Sequence, residues 1–126
     1  MFSEDLMQTA TRLVKYCRAG QEMDALKELY AEDAVSVEPA TMPDAPPAEI
    51  KGVDAIRGKH EWWNNTFEVH SGEVDGPYLH GDTRFTVKFS IDATNKETGE
   101  RSAMQEIAEY TTQNGKIVRE EFFFGV

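Results

Sequence analysis

Between Arg84 and Asp92 the chain alternates without a break: Phe85, Val87, Phe89 and Ile91 are apolar, and Arg84, Thr86, Lys88, Ser90 and Asp92 are polar. Successive side chains of a strand point to opposite faces, so this segment has one wholly apolar face that another layer must cover. From Thr66 onward β-branched and aromatic residues dominate, and they are interrupted at Asp75-Gly76-Pro77, His80-Gly81-Asp82, Thr98-Gly99-Glu100 and Asn114-Gly115. Such breaks turn hairpins, which predicts an antiparallel meander.

The covering layer lies upstream. Leu6, Ala10, Leu13, Val14 and Cys17 recur at helical spacing between Ser3, placed as an N-cap, and Gly20, placed as a stop. Met23, Leu26, Leu29 and Tyr30 repeat the pattern, and Val53, Ile56, His60 and Trp63 mark a third helix that starts after Gly52 and ends near Asn64-Asn65. Val35 and Val37 alternate with Ser36 and Glu38 as a short strand, and residues 39–49, which hold four of the five prolines, read as an irregular loop able to rim a pocket. Helices first and strands after predict one α+β domain over residues 1–126, with three N-terminal helices covering the concave face of a cone-shaped, curved antiparallel sheet.

Charge narrows the partners. Thirteen basic against 23 acidic side chains give a formal charge of −10, a field that repels nucleic acid and anionic membrane surfaces. The single cysteine, Cys17, allows no internal disulfide. Met1-Phe2-Ser3-Glu4-Asp5 is acidic where an export signal needs a basic start, so a cytoplasmic location is expected. His60, His70 and His80 match no metal-ligand spacing, and neither a phosphate loop nor a nucleophile elbow is present, so no metal and no cofactor are expected.

Three segments carry a family resemblance. Leu29-Tyr30-Ala31-Glu32-Asp33-Ala34-Val35-Ser36-Val37-Glu38-Pro39, Lys51-Gly52-Val53-Asp54-Ala55-Ile56-Arg57-Gly58 and Asn114-Gly115-Lys116-Ile117-Val118 resemble the nuclear transport factor 2-like superfamily, which holds the ketosteroid isomerases and the SnoaL-like polyketide cyclases. The resemblance implies a pocket for a small hydrophobic molecule and, in many members, a homodimer through the outer sheet face. It also implies that Glu38, where the isomerases place a carboxylate, is a general base. A carboxylate at an apolar cavity mouth has its pKa raised by desolvation, which suits it to proton transfer. Tyr30 falls at a tyrosine of the isomerase pattern, and His60 near an aromatic hydroxyl. The isomerases' two oxyanion donors are not matched, since Leu13 or Val14 and Ile107 stand at those positions.

Register supplies further candidates. If Asn114-Gly115 is a two-residue turn, Thr111 pairs with Val118, Glu109 with Glu120 and Ile107 with Phe122 on the helix-facing side, with Phe124 beyond. Glu109 and Glu120 would then share one proton near neutral pH, unless a β-bulge after Tyr110 turns one of them outward. Tyr110, Arg119 and Phe123 would lie on the outer face beside Arg84 and Lys88, as a dimer interface or as a solvated face with ordinary ion pairs. The catalytic candidates are therefore Glu38, His60, Glu109 and Glu120, with Tyr30, Trp63, Phe85, Phe89, Ile107, Phe122 and Phe124 lining the pocket. Structural alternatives stand beside them, a satisfied core histidine for His60 and helix packing for Tyr30. The expected function is cofactor-free proton transfer on a small hydrophobic carbonyl compound; the alternatives are an apolar-ligand binder without catalysis and a dimerisation module.

Overall fold

The computed structural model describes residues 3–42 and 44–125. Met1, Phe2, Pro43 and Val126 lie outside them, and with them part of the acidic start and one proline of the loop. The chain forms α1 (Glu4–Arg18), α2 (Glu22–Leu29), β1 (Tyr30–Val37), β2 (Glu49–Lys51), α3 (Val53–Thr66), β3 (Phe67–His80), β4 (Arg84–Asn95), β5 (Arg101–Gln113) and β6 (Lys116–Phe124). Ser3 caps α1, its hydroxyl oxygen accepting from the Leu6 N–H at 3.1 Å, and Gly20 after the helix takes φ +69°.

The six strands form one curved, unclosed sheet in the order β2-β1-β6-β5-β4-β3. Strands β3 to β6 are the expected antiparallel meander, but β1 runs parallel to β6, so the sheet is mixed. Leu6, Leu13, Leu26 and Ile56 from the helices meet Phe85, Val87, Ala108 and Ile117 from the sheet in the core. The alternation from Arg84 to Asp92 thus has its apolar side inward, Phe85 and Val87 being fully buried.

Two turn signals resolve differently from expectation. Asp75-Gly76-Pro77 does not end a strand; β3 continues through it with one extra residue, its pairing shifting between Asp75 opposite Lys88 and Tyr78 opposite Thr86. Asn114 and Gly115 do make the hairpin turn, with φ of 52° and 79° as a type I′ turn requires. Just past it, however, Thr112 pairs with Ile117 and Thr111 with Arg119, so Val118 is a bulge on β6. One residue of slip reverses which side chains share a face.

The consequence is a correction to the β5 face. Tyr110 pairs with Glu120, Glu109 with Glu121 and Ile107 with Phe123. Glu120 and Phe122 face the helices as expected, but the partners across from them are Tyr110 and Ala108, not Glu109 and Ile107. Tyr110 is buried and Ile107 is exposed, the reverse of the expected arrangement. Glu109 instead lies 3.8 Å from Arg84, and Arg119 lies 3.2 Å from Glu121.

Candidate functional site

A cavity of about 420 Å³ opens between the helices and the inward sheet face, rimmed by Met42, Ala45 and Pro46 of the loop after β1. Its polar walls are Glu38, Lys59, His60, Glu106, Tyr110 and Glu120, and its apolar walls include Trp62, Trp63, Phe89 and Phe122. Strand β1 contributes its even-numbered side chains, since Ala34 and Ser36 are fully buried while Val35 and Val37 are not. Helix α3 contributes Lys59 and His60, and its end is fixed by Trp63 stacked on Phe67 with ring centroids 4.2 Å apart.

Glu120 is the deepest charged group, 1 % exposed. Burying a carboxylate is costly unless its oxygens are partnered. Here the Tyr30 hydroxyl donates a close hydrogen bond to Oε1, and Ser36 Oγ donates to Oε2 at 2.6 Å. Lys59 Nζ lies 3.6 Å from the same Oε2, donates closely to Ser36 Oγ and donates to Glu38 Oε2 at 2.7 Å. The ammonium also sits 4.7 Å above the Phe122 ring centre, a cation–π position. Glu38, Lys59, Ser36, Glu120 and Tyr30 thus form one connected chain of charge and hydrogen bonds.

Among the cavity-lining groups with no hydrogen bond or ion pair to another side chain among the described residues are Glu106, Tyr110 and His60. Burial, aided by the nearby Glu38 and Glu120 charges and opposed by Lys59, pushes the Glu106 carboxyl up to about 7. The Tyr110 ring stacks on Phe85 at 4.8 Å, and burial raises its hydroxyl well above the usual range. Burial lowers the His60 imidazole, against the pull of Glu120, so the ring is neutral at neutral pH. Cys17 also lines the cavity, but burial pushes its thiol up to about 12, which leaves it un-ionised.

Set against the expected residues, Glu38, His60 and Glu120 line the cavity, as do Tyr30, Trp63, Phe89 and Phe122. Glu38 is paired with Lys59 rather than with His60. Glu109 and Ile107 are on the outer face because of the Val118 bulge. Phe85 is fully buried beneath Tyr110, and Phe124, at the end of β6, is 71 % exposed. Glu109 and Glu120 therefore share no proton. His70 and His80 are bonded to Thr94 and Thr86, and among the described residues no group of His, Cys, Asp or Glu is arranged to hold a metal. No described helix is long and apolar enough to cross a membrane.

Sequence reasoning missed Glu106, Tyr110 and Lys59. For the first two, the bulge leaves no local signature in Ile117-Val118-Arg119. Lys59 was legible as the residue beside His60, since a long side chain reaches a cavity from the flank of a helix face.

The fold is shared with solved structures. A Mesorhizobium loti protein described as a SnoaL-like polyketide cyclase is 36 % identical, superposes with a TM-score of 0.86, and is matched over 94 % of this chain and 97 % of its own. A Bacillus subtilis protein described as an isomerase is 23 % identical with a TM-score of 0.74, over 97 % of this chain and 87 % of its own. A Mycobacterium tuberculosis protein in complex with estradiol-17beta-hemisuccinate has the same fold at 12 % identity and a TM-score of 0.73, over 98 % and 96 % of the two chains. No functionally curated protein matches the sequence. The model of the SnoaL-like domain matches residues 5–124, and the chain belongs to that family, within the nuclear transport factor 2-like superfamily.

Proposed function

We propose that the chain, as one domain over residues 1–126, carries out cofactor-free proton transfer on a small hydrophobic carbonyl compound. Glu38, oriented by Lys59, takes the proton. Glu106 in its protonated form and the Tyr110 hydroxyl donate hydrogen bonds to the carbonyl oxygen, the role that Leu13, Val14 and Ile107 cannot fill. Glu120 holds Lys59, Ser36 and Tyr30 in place. Glu109 has no part, since it faces away from the cavity. The observation that carries this reading is Glu106, an unpaired carboxyl in an aromatic-lined cavity with its pKa pushed up to about 7.

Two further expectations accompany it. The outer sheet face exposes Ile107 and Phe123 beside the Arg84–Glu109 and Arg119–Glu121 pairs, a surface suited to a homodimer. The protein acts in the cytoplasm.

Exchange of the α-protons of β-tetralone for solvent deuterium, followed by NMR, tests the reading. The protein accelerates the exchange, Glu38→Gln abolishes it, and the rate falls as pH rises through the Glu106 transition. An unchanged rate in Glu38→Gln removes the base. A second reading, binding without catalysis, is favoured by the steroid-derivative complex of the mycobacterial protein, and ketone binding with no exchange selects it.

A further inference from the structure

We propose that the same cavity takes hydrophobic amines as a second class of ligand, the ammonium group pairing with Glu106. This rests on the reading that Glu106 faces a ligand cavity, and extends it beyond carbonyl compounds. Strand register sets Glu106 directly opposite Phe89 on β4, and both line the cavity together with Trp62, Trp63 and Phe122. A carboxylate beside aromatic rings offers an ammonium an ion pair and cation–π contact together.

Charge points the same way. Among the described residues, Glu22, Glu38, Glu106 and Glu120 line the cavity with Lys59 as the one lysine or arginine. Lys59 does not offset them, because Glu38 at 2.7 Å and Glu120 at 3.6 Å already share it and leave that cluster with one negative charge in excess. Tyr110 points to a ligand independently. It is 2 % exposed and its hydroxyl has no partner among the described residues, where no fully buried side-chain nitrogen or oxygen is left unsatisfied. The hydroxyl therefore opens onto the cavity and is available to an occupant.

The charged and titratable groups facing Glu106 are Glu38 after β1, Tyr30 on β1, Lys59 and His60 from α3, Glu120 from β6, Glu22 from α2, Cys17 from α1 and Tyr110 on its own strand. Burial lowers the His60 imidazole and pushes the Cys17 thiol up to about 12, whereas the Glu106 carboxyl stands at about 7, inside the range tested. On binding an amine, Glu106 gives its proton to the buffer and the ammonium takes that position. Amine affinity then rises with pH through the Glu106 transition, whereas an uncharged ligand gains nothing from the ionisation.

Three probes of one shape test this: phenylbutylamine, phenylbutanol and phenylbutyrate, read by quenching of Trp62 and Trp63, which both line the cavity. The amine binds roughly tenfold tighter at about pH 8 than at about pH 6, because a carboxyl with a pKa near 7 passes from roughly one-tenth to nine-tenths ionised over that interval. The alcohol shows no such gain and the butyrate binds weakest. Calorimetry of the unaltered protein at about pH 6, where Glu106 is still mostly protonated, in two buffers of different ionisation heat records proton release with the amine, and in Glu106→Gln the rise with pH disappears. An amine that binds no tighter than the alcohol at about pH 8, or that binds with no proton release, overturns the proposal. Alcohol binding alone overturns only the amine class and leaves the carbonyl reading standing; failure of all three probes overturns the ligand cavity itself.

Discussion

Ser36 on β1 donates a 2.6 Å hydrogen bond to Glu120, which stands directly opposite it on the parallel strand β6. The Tyr30 hydroxyl and the Lys59 ammonium complete the surroundings of that carboxylate. Removing it leaves a buried hydroxyl pair without its acceptor and takes one anion from Lys59. Glu120→Ala is therefore expected to cost roughly 3–5 kcal/mol in urea unfolding, and the shape-conserving Glu120→Gln less. An alanine variant within about 1 kcal/mol of the parent would mean that the network does not hold the site together.

Tyr110→Phe gives the opposite expectation. The substitution keeps the 4.8 Å stack on Phe85 and removes a hydroxyl that has no partner among the described residues. Stability should change by less than about 0.5 kcal/mol in the same assay. A loss above about 1.5 kcal/mol would show that the hydroxyl is engaged inside the protein rather than open to the cavity.

Lys59→Met removes the one cation that opposes the rise of the Glu106 pKa. The Glu106 transition, followed by NMR of its carboxyl carbon, should move up in the variant. A downward move would place Lys59 outside the field that Glu106 experiences.

Much of this arrangement was legible in the residues. Helical spacing and the Ser3 cap specify α1, and the alternation at Phe85, Val87, Phe89 and Ile91 specifies the inward face of β4. Glu38 and Trp63 reach the cavity as their positions just after β1 and in α3 imply. The face of β5 was not legible, because one bulged residue, Val118, decides it. A type I′ turn predicts the register only of the pairs next to it, and a bulge there reverses every side chain beyond. Hence Tyr110 read as an outer-face residue and Glu109 as an inner one. The parallel placement of β1 against β6 is also beyond local pattern, since it depends on which sheet edge the helices leave open.

Glu106 also makes stability depend on pH. Its carboxyl is raised from the usual 4.5 to about 7, so the folded protein binds that proton more tightly than the unfolded chain does. Its contribution is full below the unfolded value and is lost as pH rises through the folded one. Glu106→Gln, which cannot ionise, should therefore gain stability relative to the parent over that interval, by up to about 3 kcal/mol. A difference that stays flat with pH would show that the two states hold the proton equally.

At neutral pH about half of the Glu106 carboxyl is protonated and able to donate a hydrogen bond into the cavity. An NMR titration of the carboxyl carbons, with Glu106 assigned through its glutamine variant, tests it most directly. The Glu106 transition is expected at about 7, where burial and the neighbouring Glu38 and Glu120 charges put it. A transition near the ordinary glutamate value of 4.5 would show that the carboxyl is already ionised at neutral pH and donates no hydrogen bond there.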